Sequence, residues 1–266
     1  MSPDEVVVTI AAVVLGPVAW VFWFIRRSDS TLPGRGSTGL GILGATIVVC
    51  STLLLFVLVT VASHDVRTVL EYLFMYSVLG LAWLRLGEML FAYSGVSVRD
   101  DVVERGNAAA TIALSGALVA VMLCYAGANI GDGPGWWVVV FSAALATAGL
   151  VVAWQLYALF TRGVDAVTID RDPAAGMRLA GFLVACGLVL GRSVAGDWHA
   201  VEQTVQDFVR MLPFAGILVV LATAIEPLAR PTVQEPHRPF GSHGVGLGLL
   251  YVLFAVIAIA FAGWPQ

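Results

Sequence analysis

Residues Asn107-Ala-Ala-Ala-Thr-Ile-Ala-Leu-Ser-Gly-Ala-Leu-Val-Ala-Val-Met-Leu-Cys-Tyr-Ala-Gly-Ala128 run for 22 positions without one charged side chain. At about 1.5 Å of rise per residue, such a helix is roughly 33 Å long, enough to cross the hydrocarbon core of a bilayer. Seven further windows are apolar and long enough to do the same, at 6–25, 39–62, 68–93, 135–160, 173–195, 208–228 and 243–264. Only short loops and tails remain between them, too little chain for a folded domain outside the membrane. Composition agrees: 59% of the chain is hydrophobic and 12% charged, where a soluble domain carries roughly 25% charged residues. The expected fold is an all-α polytopic bundle of eight transmembrane helices, here called spans 1 to 8, and a soluble enzyme is excluded.

All fourteen basic residues are Arg, and nine of them (Arg26, Arg27, Arg35, Arg99, Arg105, Arg162, Arg171, Arg230 and Arg238) fall in the loops after spans 1, 3, 5 and 7. The opposite loops and both termini hold only Arg67. By the positive-inside rule, the four Arg-bearing loops are expected in the cytoplasm and both termini outside. Span 1 is expected to be retained: Asp4 and Glu5 precede it where a secretory leader would be basic, and Arg26-Arg27 follow it where a cleavage site would be.

Cys50, Cys124 and Cys186 each sit in an apolar stretch without metal-type spacing and read as small core residues. His64 and His199 lie on one side of the membrane and His237 and His243 on the other, so the four cannot form one metal site. Trp20, Trp23, Trp136, Trp137 and Trp264 lie near span ends and read as interfacial anchors. The glycine-rich start of span 8, Gly241-Ser-His-Gly-Val-Gly-Leu-Gly248, lacks the Lys and preceding strand of a phosphate loop. It reads as a flexible start of a helix that lets another backbone come close.

The quoted stretch has a partner 65 residues on, Asp172-Pro-Ala-Ala-Gly-Met-Arg-Leu-Ala-Gly-Phe-Leu-Val-Ala185. Leu114/Leu179, Gly116/Gly181 and the Leu-Val-Ala endings align without a gap. Each copy follows a charged run (99–105 or 165–171) and, before it, another span, so the unit is span, acidic turn, span, used twice in the same orientation. This divides the chain into a repeated four-helix core at 68–195 flanked by helix pairs at 1–67 and 196–266. The core resembles the bacterial inner-membrane family known as domain of unknown function 350, whose members carry four spans and two Asn-x-Ala-Ala motifs. Asn107-Ala-Ala-Ala and Asp172-Pro-Ala-Ala-Gly would be those motifs, with Asp172 and Pro173 departing from the commonest form. The resemblance implies an inner-membrane location. It also brings a context, since relatives are encoded beside envelope-stress proteins of the phage-shock type and ligases related to glutathionylspermidine synthase.

Physically, Asn107 and Asp172-Pro173 are suited to start spans 4 and 6, because Asn and Asp side chains accept from the unpaired N–H groups of a first turn and Pro fits the first helical position. The Ala and Gly that follow permit close helix approach, with Gly116 and Gly181 expected at equivalent contacts. The acids Asp100, Asp101, Glu104, Asp165, Asp170 and Asp172 outnumber nearby arginines and would repel an anion. The first five are candidates for a partner-facing surface.

Inside the windows lie Glu71, Arg85 and Glu88 (span 3), Arg178 and Arg192 (span 6), and Arg210 and Glu226 (span 7). Such residues are costly in lipid and turn toward protein or water. Glu71 and Arg192 are three residues from their outer span ends, ~4.5 Å deep, while Glu88 and Arg178 are five from their inner ends, ~7.5 Å deep. This match predicts that spans 3 and 6 are antiparallel neighbours clamped by Glu71–Arg192 and Glu88–Arg178. Arg85 would share Glu88 or face a polar cavity with Gln155, Arg210 would compete for Glu71 or snorkel outward, and Glu226 would reach the interface.

No nucleophile, base and acid gather on one side at a usable level, so no enzyme and no cofactor are expected. The leading expectation is a non-enzymatic component of an envelope-maintenance or stress system, presenting acidic cytoplasmic loops to a soluble or peripheral protein partner, with the bilayer as its solvent, a homo-oligomer admitted and nucleic acid excluded. The alternative is a channel or carrier for a small ion or polyamine at the repeat interface.

Overall fold

The structure is a computed structural model that describes residues 1–30, 37–231 and 239–263, so Arg35, His237, Arg238 and Trp264 lie outside the described residues. It is all-helical. Eight helices are long and apolar enough to cross a membrane: Pro3–Ser28, Thr38–Thr60, Leu70–Ser94, Ala108–Gly127, Trp136–Phe160, Pro173–Ser193, Val201–Ala229 and Phe240–Ala262, spans 1 to 8 in order.

Spans 4 and 6 form the centre. Within their most apolar windows 72% and 78% of residues are buried by protein, against 22% for spans 1, 2 and 8. Spans 2 and 3 pack on span 4, spans 5, 7 and 8 on span 6, and span 1 on span 3. The outer helices turn Val7, Ile10, Phe56, Val220 and Phe261 outward, as a lipid-facing surface requires.

Sequence explains why spans 4 and 6 come so close. A methyl group placed on Gly176 would sit 2.4 Å from the Ala109 carbonyl oxygen, one on Gly116 2.5 Å from Ala180 Cα, one on Gly187 2.7 Å from Ala120 Cα, and one on Gly127 2.2 Å from the Gly191 carbonyl oxygen. These contacts advance together along both helices, so the two run parallel, backbone against backbone. Small residues are what such a seam needs, because helices in lipid associate through packing and not through hydrophobicity. Gly181 is also at a close contact, but against Gly248 of span 8. The expected equivalence of Gly116 and Gly181 therefore fails. The residue after Ala180 is turned about 100° away from the seam, so it meets a different helix.

Span 1 is bent into its place. Pro17 lacks an N–H and crowds the preceding turn, and Val14–Val18 widens into a π-turn. Gly16 in that turn lies against the backbone of Val78 and Ala82, and Trp20 Nε1 donates to the Leu81 carbonyl at 3.0 Å. Trp20 and Trp23 are thus buried between helices, correcting the expectation of interfacial anchors, whereas Trp137 is exposed and Trp136 Nε1 donates to Asp4 at 3.1 Å. All three cysteines are buried and unpaired.

Candidate functional site

The two motif residues occupy matching places at the arginine-bearing end of the molecule. Asn107 Oδ1 accepts from the N–H groups of Ala109 (3.0 Å) and Ala110 (3.3 Å), and the Asp172 carboxylate accepts from those of Ala174 (2.9 Å) and Ala175 (3.2 Å). Before each cap the chain turns through a short helical segment, π-helical at Val98–Glu104 and α-helical at Gly163–Thr168. Asn107 N–H donates back to the Asp101 carbonyl and Asp172 N–H to the Ala166 carbonyl, both at 2.9 Å. Asn107 Nδ2 then reaches Val167 O at 2.8 Å, tying one turn to the other. At the far end Gly131 and Gly196 both adopt positive φ, Gly196 N–H donates to Ile130 O, and Asp132 N–H donates to Asp197 Oδ1.

The acids of the turns divide. Asp101 is buried: it accepts from Ser97 N–H at 2.8 Å and pairs with Arg105 at 3.0 Å, so it pins its own turn and cannot face a partner as expected. Asp100, Glu104, Asp165 and Asp170 are exposed. Arg99 lies 3.1 Å from Glu104 and Arg162 3.6 Å from Asp165, while Asp100 and Asp170 make no ion pair among the described residues.

The intramembrane charges form two clusters, and neither is the predicted clamp. Arg178, fully buried, gives Nε and Nη2 to the two oxygens of Glu226 (2.9 and 2.8 Å) and Nη1 to the His243 carbonyl (2.9 Å), with Asp172 at 3.9 Å. Glu226 is equally buried and has Arg230 at 3.8 Å. Tyr157 faces the same carboxylate without a hydrogen bond of normal geometry, and stacks on Phe182, whose edge meets Tyr251. The cluster fastens span 6 to spans 7 and 8. The second cluster joins spans 1 and 3: Glu88, 7% exposed, pairs with Arg85 one turn away and with Arg27 at 3.5 Å. Arg27 lies 4.4 Å over the Trp23 ring and Arg85 5.8 Å from that of Trp20, distances at which a guanidinium gains from an aromatic face.

The physical reason the clamp fails is that span 4 lies between spans 3 and 6. Matched depth places two charges at one height but says nothing of direction around the bundle. Glu71 is exposed in the first turn of span 3, and Arg192 instead donates from Nε and Nη2 to the Gly263 carbonyl (3.0 and 2.7 Å), closing the end of span 8. Arg210 pairs with Asp207 at 2.8 Å on the surface and not with Glu71. Gln155 reaches Tyr93 O and Ser94 Oγ (3.1 and 3.2 Å), bridging spans 5 and 3 away from Arg85. Sequence reasoning passed over Glu226 and Arg27 as partners. Glu226 did carry a signal, since it lies near the inner end of span 7 at a level like that of Arg178.

No curated protein and no solved structure matches this chain. A family model described as Domain of Unknown Function (DUF350) matches residues 60–194, from the last residue of span 2 to the end of span 6. That stretch is just over half of the chain and holds both caps and the whole seam of spans 4 and 6. The chain belongs to the DUF350 family.

Proposed function

We propose that this protein is a non-enzymatic scaffold of the bacterial inner membrane, part of an envelope-maintenance system, which holds two acidic turns rigidly at its cytoplasmic face for a basic surface of a soluble or peripheral partner. In this reading the unit of span, turn and span is duplicated about an axis along the membrane normal, forming a four-helix core, and both termini face outward, as the arginine bias of the loops favours. The observation that carries the reading is the division among the acids. Asp101 and Asp172, with the amide of Asn107, are spent on fixing the turns, while Asp100 and Asp170 stay exposed without ion pairs among the described residues. Each turn carries three acids to two arginines. A preorganised charged surface loses little entropy on binding and steers an oppositely charged partner.

A channel or carrier at the repeat interface would need a polar path between spans 4 and 6, where glycine and alanine bring the backbones into direct contact. That packing supports the scaffold over the channel. Proteoliposomes loaded with potassium or spermidine test the choice. The scaffold reading expects efflux equal to that of protein-free vesicles. Efflux above that background would overturn it in favour of transport.

A further inference from the structure

At the arginine-bearing end of spans 1 and 3 lies a cavity of about 580 Å³ lined by Ala19, Phe22, Trp23, Arg26, Arg27, Arg85 and Arg99. Four of these seven residues are arginines and none is acidic. The carboxylates in contact with them are Glu88, shared by Arg85 and Arg27, and Glu104, on Arg99. Arg26 and Arg99 are exposed, and Arg85 Nε is buried without a hydrogen-bond partner among the described residues. Such donors fit a phosphate, since a guanidinium fork matches its oxygens in pairs.

The surroundings choose the source of that phosphate. Phe22 lines the cavity and is itself exposed, and Ile25 on span 1 and Leu86 and Met89 on span 3, next in sequence to the cavity and its glutamate, also present apolar side chains outward. Arg85 sits nine residues before Ser94, the end of span 3, about 13 Å along the helix axis. The cavity thus runs from the interface, where Arg26 lies two residues before the end of span 1 and Arg99 lies beyond the end of span 3, down to Arg85 beside a lipid-facing surface, and basic pockets between membrane helices hold anionic headgroups. We propose that it binds the phosphate group of an anionic lipid, with the acyl chains lying along Phe22, Ile25, Leu86 and Met89.

The test uses the full chain in detergent, titrated with phosphatidylglycerol, phosphatidylcholine, glycerol 3-phosphate or inorganic phosphate, and reads bound ligand by native mass spectrometry and melting temperature by thermal denaturation. Phosphatidylglycerol should be retained and raise the melting temperature, and phosphatidylcholine should do neither. Arg26→Gln with Arg99→Gln should weaken retention roughly 30-fold, at about one kcal/mol per basic group near an anionic headgroup. Arg162→Gln with Arg210→Gln, two exposed arginines elsewhere, should leave it unchanged. If the first double variant fails to elute as a folded species, Arg26→Gln and Arg99→Gln taken singly should each give an intermediate loss. Equal retention by the variants and the parent, or retention of phosphatidylcholine equal to that of phosphatidylglycerol, would overturn the site. Glycerol 3-phosphate or inorganic phosphate matching the lipid at equal concentration would overturn its assignment to a lipid.

Discussion

Arg178 gives its guanidinium to both oxygens of Glu226 and to the His243 carbonyl and is sealed from solvent, whereas Arg85 shares Glu88 with Arg27 and borders a cavity that adds Arg26 and Arg99. Both arginines sit in the arginine-bearing half of a membrane helix, and both meet a glutamate. The difference lies in what surrounds them. Around Arg178 the central pair with Glu226 is fully buried, and Asp172 and the partly exposed Arg230 flank it. Around Arg85 two arginines share Glu88, their side chains are about a fifth exposed, and a cavity borders them. A matched and closed set can only hold helices together. An open set beside a cavity has room for a ligand.

The largest effect should come from opening the closed set. Arg178→Met or Glu226→Gln leaves a fully buried partner with only the more distant Arg230 or Asp172 to face it, and each should cost about 3–5 kcal/mol in reversible unfolding from mixed micelles. A loss below about 1 kcal/mol for both would mean that water reaches the pair, and the contrast between the clusters would collapse. Next in size is the rescue. Arg178→Met combined with Glu226→Met should be more stable than either single change, with strong coupling in a double-mutant cycle, because the cost lies in orphaning a charge and not in losing a pair. Simple additivity would break the lock interpretation.

Glu88→Gln should cost less, about 1–3 kcal/mol, since Arg85 and Arg27 can turn toward solvent and toward Trp20 and Trp23. A cost equal to that of Glu226→Gln, measured by the same unfolding assay, would show that the second cluster is closed as well. The smallest effect belongs to Arg210→Gln, whose pair with Asp207 is exposed. It should stay within about 0.5 kcal/mol of the parent.

These residues also show what a sequence can and cannot say about such a protein. The eight spans were legible because length and apolarity alone decide them, and the caps were legible because Asn, and Asp before Pro, answer a local need of the first helical turn. The i, i+3 pair of Arg85 with Glu88 follows from helix geometry within one span. Pairing across spans was not legible. Depth in the bilayer is a one-dimensional coordinate read along the chain, while the neighbour of Arg178 is set by rotation around the bundle, which the close contacts of Gly116, Gly176, Gly187 and Gly191 determine. Asp101 was misjudged for a related reason. A charge run reads as solvated until the turn folds back and takes one carboxylate to accept from the N–H of Ser97.

The central claim is that the two turns form a prepared docking face, and site-specific photocrosslinking in native membranes tests it most directly. A photoreactive amino acid placed at Asp100 and at Asp170 should each give one discrete protein adduct of the same mass increment. The same residue at Gly133, at the opposite end of the bundle, should give none, and charge reversal of the neighbouring acids Glu104 and Asp165 should abolish the adducts. Adducts absent from both acidic positions, or equally strong at Gly133, would contradict the account.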